Sequence, residues 1–566
     1  MKKIFILFFL AIFSIRLIAQ IVFVSLDNDV YDFLERVEIK VGIDISSSTK
    51  PISRKKIIEI LHKISEGENY NSLSKCEKDG LKNQIKKFSY EEKFLNSSKK
   101  INAEKKWKPL EFPYKFYFED NFLTFNPIFR IRSKINESDS AYFSEDNTRI
   151  TGGGRIYGYL GDKIGFYFYG VNNAEWGNYH DCRKIDSPKQ GIGALVSDKK
   201  YYDEVDAYVS FSTKHADLII GRFSNYWGCG KTGSLFISDK APSYPQVMLK
   251  AKFSNWLNLT YFHGWLESNI EDSLFTYWGD DEKLRRKFYK KKYIAAHRLE
   301  ITPLKNLKFG LSELIYYGER EPELVYFIPV MLFWSAQHYT NDQDNYLNGI
   351  DFEWIPINFC KIYGSFMIDE MKLSKIFDAN ESHNYVGFQI GSYFVEPIFK
   401  DLDFRIEYTR LNPWTYTHKF PINEATSDGY KFDDEIYGYT MGYWTGQNSD
   451  NFYFGIDYHL NQKTKISFDY SRYRKGAQDS IKYQYTIPPA EKFLYGHQYT
   501  KNKFGFSLEF EPLNNLFCKI GYEYLDCNVI EKNIEKALDE EYINPIYYKY
   551  DFTQNKLHFS IGYNLR

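Results

Sequence analysis

The segment Lys556-Leu557-His558-Phe559-Ser560-Ile561-Gly562-Tyr563-Asn564-Leu565 decides the fold. Leu557, Phe559, Ile561, Tyr563 and Leu565 alternate with Lys556, His558, Ser560, Gly562 and Asn564, a period of two that sets all apolar side chains on one face of a strand. Upstream, Phe504, Phe506, Leu508 and Phe510 alternate with Lys503, Gly505, Ser507 and Glu509. Phe452 to Leu460 and Leu402 to Tyr408 repeat the pattern. One face is apolar and aromatic; the other carries charge.

The connections between these strands come in two kinds, strictly in turn. Tight ones include Gly161-Asp162, Thr302-Pro303-Leu304-Lys305, Ile355-Pro356-Ile357, Glu396-Pro397-Ile398, Asn461-Gln462 and Glu511-Pro512-Leu513-Asn514, and four of these share a Pro-Leu or Pro-Ile pair. Long ones cover roughly 134–149, 173–200, 223–245, 267–292, 318–345, 370–382, 412–449, 474–499 and 528–554. Short turns on one side and long loops on the other are the signature of an outer-membrane barrel. A first strand within 113–133, eight hairpins with strands near 150/163, 201/215, 246/256, 293/306, 346/358, 383/400, 450/463 and 500/515, and a last strand near 555 predict about 18 antiparallel strands, with both ends of the barrel on the periplasmic side. A barrel that wide leaves a lumen for the charged face. Many such barrels end on Phe or Trp; here the alternation runs to Leu565 and closes on Arg566.

Composition agrees. The 566 residues include 49 Tyr, 47 Phe and 10 Trp, 19% aromatic, while mean hydropathy is only −0.49. Alternation cancels in such an average, which separates a barrel from a chain with helical spans. A secreted all-β enzyme shares the composition but not the loop asymmetry. Net charge is −1, which offers no field for nucleic acid.

Residues 1–19 read as a signal peptide: Lys2 and Lys3 precede the apolar run Ile4 to Phe13, with Ala19 at the cleavage point. Residues 20–110 read as a small periplasmic helical domain, and 111–566 as the barrel. Val30, Phe33, Leu34 and Val37 form one helical stripe, preceded by Asn28 and Asp29 as caps and ended by Gly42. Ser53 caps a second helix carrying Ile57, Ile58, Leu61 and Ile64. Ser74-Lys75-Cys76-Glu77 is a capping box for a third, with Leu81, Ile85 and Phe88. The lysines over 50–108 read as a solvated face. Three short helices bury little alone, so they are expected to dock at the periplasmic mouth and restrict conductance.

Six cysteines without a CxxC pair make neither a disulfide scaffold nor a zinc site; Cys518 and Cys527 are near enough to meet across a loop, but no pairing is assigned. Gly230-Lys231-Thr232 looks like part of a P-loop, but Asn225 stands where its first glycine belongs and no helix follows. Asn341-Asp342-Gln343-Asp344-Asn345 has the polarity of a calcium loop, yet Tyr346 breaks the ligand spacing. No metal and no cofactor are expected. His263, His297 and His338 lie among acidic residues without a hydrolase motif, so no enzyme is expected.

The most distinctive run is Gly221-Arg222-Phe223-Ser224-Asn225-Tyr226-Trp227-Gly228-Cys229-Gly230-Lys231-Thr232-Gly233-Ser234-Leu235, continuing to Ser238 and Ala241-Pro242. With Val30 to Arg36, Pro51-Ile52-Ser53-Arg54 and Asn345 to Phe352, it resembles the capsule assembly protein Wzi family over nearly the whole mature length. Cys229 stands where that pattern has Pro. The resemblance implies an 18-stranded barrel with a periplasmic helical bundle, and a surface lectin that holds capsular polysaccharide on the cell outer membrane. Aromatic platforms and hydroxyl-fixing polar groups serve such a ligand. Tyr226, Trp227, Lys231 and Asp239 in the third outer loop, Trp334 in the fifth and Trp414 in the seventh are the candidate sugar contacts. The expected partners are surface polysaccharide, outer-membrane lipid and lipopolysaccharide, bound by a monomer. A diffusion porin or substrate-specific channel is the competing reading.

Overall fold

The computed structural model describes residues 21–42, 47–96, 114–118, 121–139, 146–161, 164–177, 194–196, 199–278, 285–370, 384–428, 438–477, 492–496, 498–513, 515–532 and 547–563. The expected signal peptide, the domain boundary near 110 and the terminal Asn564-Leu565-Arg566 lie outside them.

The alternating segments close into one antiparallel barrel of 18 strands. In chain order they are β1 (Asn121–Ser138), β2 (Asn147–Leu160), β3 (Ile164–Trp176), β4 (Lys199–Ser212), β5 (Ala216–Phe223), β6 (Tyr244–Lys252), β7 (Leu257–Leu266), β8 (Lys292–Leu304) and β9 (Leu307–Gly318). The other half is β10 (Asn345–Ile357), β11 (Cys360–Glu370), β12 (Tyr385–Val395), β13 (Leu402–Leu411), β14 (Ser449–Asn461), β15 (Thr464–Lys475), β16 (Gln498–Leu513), β17 (Leu516–Lys532) and β18 (Tyr547–Tyr563). β18 pairs back onto β1, with Ile561 opposite Ile131, so no edge is left unpaired. Short pieces at Tyr114–Phe118 and Ala194–Val196 extend the sheet beside β1 and β4. The first strand therefore sits a few residues later than the alternation predicts, because Tyr114–Phe118 folds back on it as a hairpin.

Leu557 and Phe559 of β18, like Phe506 of β16, stay exposed on the outer wall. That is the arrangement a lipid-facing band needs, since a barrel satisfies its backbone internally and turns its apolar face outward. Among the described residues, no helix is long and apolar enough to cross a membrane. Cys76, Cys229, Cys360, Cys518 and Cys527 are free thiols. Cys518 and Cys527 share strand β17, where nine residues span roughly 30 Å, so they do not meet across a loop.

Helices α1 (Val30–Val41), α2 (Arg54–Glu66) and α3 (Lys75–Asn96) follow the expected caps. Asn28 Oδ1 accepts from Val30 N at 3.1 Å, and Ser53 Oγ accepts from Lys56 N at 3.2 Å. At the third helix the box is reciprocal: Glu77 N donates to Ser74 Oγ and Ser74 N to Glu77 Oε2. Gly42 ends α1 at φ 64°, a left-handed cap that suits glycine.

The three apolar stripes bury one another: Val30, Leu34 and Val37 pack with Ile57, Leu61, Leu81 and Phe88. The expectation that these stripes need the barrel as partner is thus corrected in detail. The unit does dock on the barrel, but through the opposite, charged side of α1 (Asp32, Glu35, Arg36, Glu38), which points into the lumen. Residues ahead of α1 enter as well. Phe23 N donates to Tyr208 OH at 2.7 Å, and its ring packs against Tyr208 and Phe223 on the inner wall.

Candidate functional site

The third outer loop (224–243) does not stand on the surface. Tyr226 and Trp227 pair antiparallel with Lys50 and Thr49 of the helical unit, at mid-height inside the barrel. Trp227 N donates to Ile237 O at 2.9 Å, turning the loop back on itself, and Gly228 N donates to Ser48 O at 3.1 Å. The Trp227 ring is 0% exposed and meets Phe262 edge-on at 5.3 Å. Asn225 is held to Gln246 Oε1 at 2.7 Å. The glycines permit the dip. A methyl group on Gly230 would come 2.2 Å from the Gly233 carbonyl oxygen, so no larger residue fits there.

Gly230-Lys231-Thr232 does cradle an anion, but one belonging to the chain. Lys231 N donates to Glu407 Oε2 at 2.6 Å and Thr232 N to Glu407 Oε1 at 3.0 Å, with the Thr232 hydroxyl adding a third bond. Successive amides concentrate positive potential in this way, and a wall carboxylate fills the position a phosphate takes in a P-loop.

The loop and α1 enclose a charged cavity of about 260 Å³ lined by Asp32, Glu35, Lys50, Tyr226, Lys231 and Asp239. Lys231 Nζ sits 3.2 Å from both Asp32 oxygens and depresses that carboxyl from 3.8 to about 2. Burial raises Glu35, but Arg405 at 2.8 Å and Lys361 more than offset it and hold the carboxyl well below its usual range. Burial lowers Lys50, whose ammonium rests over the Tyr31 ring at 4.9 Å. Asp32 is thus matched to Lys231, and Glu35 to Arg405 and Lys361. The Asp32 bridge strengthens the contact above pH ~4 and is lost as pH falls toward 2; its Asp32 side chain is 65% exposed to cavity water, which caps its worth at about 1 kcal/mol.

Deeper contacts carry the docking. Arg298, on the inner face of β8, forks onto Asp351 with one arm at 2.8 Å, and reaches Ser48 at 2.6 Å and Thr49 at 2.9 Å. Lys308 meets Glu38, and Arg36 reaches Asp403 at 2.8 Å and Glu396 at 2.9 Å. The helical unit and the third outer loop both occupy the lumen on this side. Removing residues 21–108 should therefore raise single-channel conductance in planar bilayers at least several-fold; equal conductance would show that the helices do not obstruct the pore.

The sequence-derived candidates thus separate. Tyr226, Trp227, Lys231 and Asp239 come together, but inside the barrel, with Trp227 walled off. Trp414 lies nearly buried in the seventh outer loop, its backbone N–H donating to Gln447 Oε1 at 2.8 Å and its ring stacked on Tyr495 at 6.3 Å. Trp334 stands on the outer wall of the barrel, away from all the others.

A second aromatic group went unread. Trp444, Tyr473 and Tyr499 are half-buried at the outer end of the lumen, with rings 5.2 Å apart for the first pair and 5.9 Å for the second. Below them, Lys503 bridges Asp469 at 2.9 Å. The signal was present in the alternation. Tyr473 follows Lys465, Ser467, Asp469 and Ser471 on the inward face, and Tyr499 precedes Lys501 and Lys503, so both rings occupy positions the pattern reserves for polar side chains.

The capsule assembly protein Wzi family model matches residues 129–537. The fold is similar to that of Wzi from Escherichia coli, described as an outer-membrane, carbohydrate-binding β-barrel involved in group 1 capsule assembly, at TM-score 0.54 and 13% identity, covering 95% of this chain and 98% of that one. OprD of Pseudomonas aeruginosa (TM-score 0.41, 10% identity, 78% of this chain, 92% of that one) and OccAB1 of Acinetobacter baumannii (0.42, 8%, 78% and 97%) are more distant barrels. Among curated proteins none matches the chain in sequence. With most of its length matched and the expected barrel closed, this chain is an outer-membrane β-barrel belonging to the capsule assembly protein Wzi family.

Proposed function

We propose that the chain binds capsular or other extracellular polysaccharide at the outer mouth of its barrel and helps attach or assemble it at the cell surface. The observation that carries this reading is the row of Trp444, Tyr473 and Tyr499 above a charged floor. Flat rings cover the apolar faces of pyranoses, and fixed charges and amides select their hydroxyl and carboxylate groups. The family membership and the description of the similar E. coli barrel support the same ligand class. The chain acts by binding, not catalysis, as a monomer set in outer-membrane lipid and lipopolysaccharide.

Trp444→Ala and Tyr473→Ala should each weaken purified-polysaccharide binding by about 1 kcal/mol, roughly five-fold, while heat-modifiable gel migration stays that of the folded barrel. Unchanged affinity in both variants would overturn the placement. One feature favours a channel instead: a polar cavity of about 570 Å³ runs between the helices and β14 to β17, past Asp457, Lys465 and Glu509. Sugar flux through proteoliposomes without measurable retention on an immobilised glycan would support that second reading.

A further inference from the structure

We propose that the fifth outer loop is embedded in the membrane, lying flat against the outer wall of the barrel with its exposed side in the acyl chains of the outer leaflet.

The wall beneath it is the starting point. Tyr261, His297, Glu313 and Asn348 face one another across β7 to β10. They share the outward face with Leu311 and Ile350, both exposed apolar residues of the lipid band, whereas the neighbouring Arg298 and Asp351 point into the lumen. The four sit five to seven residues above Trp256, Leu304 and Trp354 at the periplasmic ends of their strands. At ~3.3 Å per residue and a tilt of ~40°, that places them roughly 13–18 Å up an apolar band ~25 Å tall. A histidine, a carboxylate and an amide thus lie on the lipid-facing wall at hydrocarbon depth, where uncovered polar groups are strongly disfavoured.

The loop covers Tyr261, His297 and Glu313. Phe333 N donates to Glu313 Oε2 at 3.1 Å and His297 Nε2 lies 3.0 Å from the same oxygen, while Tyr346 OH of β10 donates to Oε1 at 2.8 Å. The Phe333 ring closes over His297 at 4.5 Å. One strand away, His263 meets Tyr317 OH at 2.6 Å under the stacked Phe327 ring, and Tyr261 OH donates to Tyr326 O. Tyr326, Phe333 and Ala336 are fully buried against the wall.

The other side of the same segment is apolar and open. Leu324 is 79% and Val330 72% exposed, and Ile328, Leu332 and Trp334 project with them. Much of the segment's backbone is satisfied locally: Tyr326, Ile328, Met331 and Ala336 donate within local turns, Phe333 donates to Glu313, and Pro329 has no N–H. This patch continues the lipid band laterally, at the depth the strand register sets, and its occupant is lipid. Trp334 thereby belongs to the membrane surface of the protein, not to a sugar site.

Photo-crosslinking tests it. A benzoylphenylalanine introduced in place of Val330 or of Leu332, in the full chain in outer membranes, should yield on irradiation a lipid adduct detectable by mass. Phe506 on the β16 lipid face and the exposed outer-loop Lys419, replaced in the same way, give the lipid and aqueous references. Adducts at 330 and 332 as strong as at 506 are expected. Chain-to-chain adducts would assign the patch to a second copy, and a pattern like that at 419 would place the loop above the membrane; either overturns the proposal.

Discussion

Arg36→Ala is expected to release the helical unit from the barrel, weakening its docking by about 3–5 kcal/mol. Arg36 is 5% exposed and holds three carboxylates from separate parts of the chain: Asp403 at the start of β13, Glu396 in the preceding turn, and Glu77 in the cap of α3. Lys40 reaches Glu77 at 2.6 Å and Glu396 at 2.8 Å, and His459 reaches Asp403 at 3.3 Å. Without the guanidinium, these weaker partners face three enclosed negative charges. Arg36→Lys should recover only part of the loss, because an ammonium cannot fork onto Asp403 and Glu396 together. The measurement is protease cleavage within residues 43–75 in detergent, with barrel heat-modifiability as control. Protection equal to that of the unchanged protein would show that docking does not depend on this cluster.

Acid should imitate the substitution. Burial raises Glu396, but hydrogen bonds from Lys40 and the Asp401 amide outweigh it and keep the carboxyl below its ordinary value. A depressed carboxyl contributes its full share above its unfolded pKa, ~4.3, and loses it as pH falls further. Helix release should therefore appear below about pH 4 while the barrel, held by its closed ladder, persists.

The barrel was legible because its signal is periodic and repeated. Each of Leu557, Phe559 and Ile561 says little alone, but the same period in strand after strand, with turns and loops alternating, leaves one topology. The helix caps were legible for a local reason: Ser74 and Glu77 need only each other. The third outer loop was not, because nothing local in Gly228-Cys229-Gly230-Lys231 distinguishes a loop that stands out from one that turns in. Its direction is set by partners far along the chain, Thr49, Asp32 and Glu407, and no period links those positions. Trp334 illustrates the same limit. Its loop lies on the outer wall because Glu313 and His297 need cover there, a requirement that appears only when the register is known.

Trp227→Ala should, for the same reason, destabilise the protein by about 3–5 kcal/mol, the usual cost of emptying a fully buried large aromatic site. The ring fills space between Phe262 of β7 and the strand pairing that joins Tyr226-Trp227 to Thr49-Lys50. Its removal leaves a cavity where the outer loop and the helical unit meet, so both lose their seat. Trp227→Phe should cost much less. The indole Nε1 has no hydrogen-bond partner among the described residues, so phenylalanine forfeits volume but no bond. Thermal melting and heat-modifiable migration of the two variants measure the difference. A sugar platform would behave otherwise: the alanine variant would melt like the unchanged protein and lose polysaccharide binding. Loss of stability in the alanine variant, with binding kept in the phenylalanine one, is what a tryptophan walled in on every side should give.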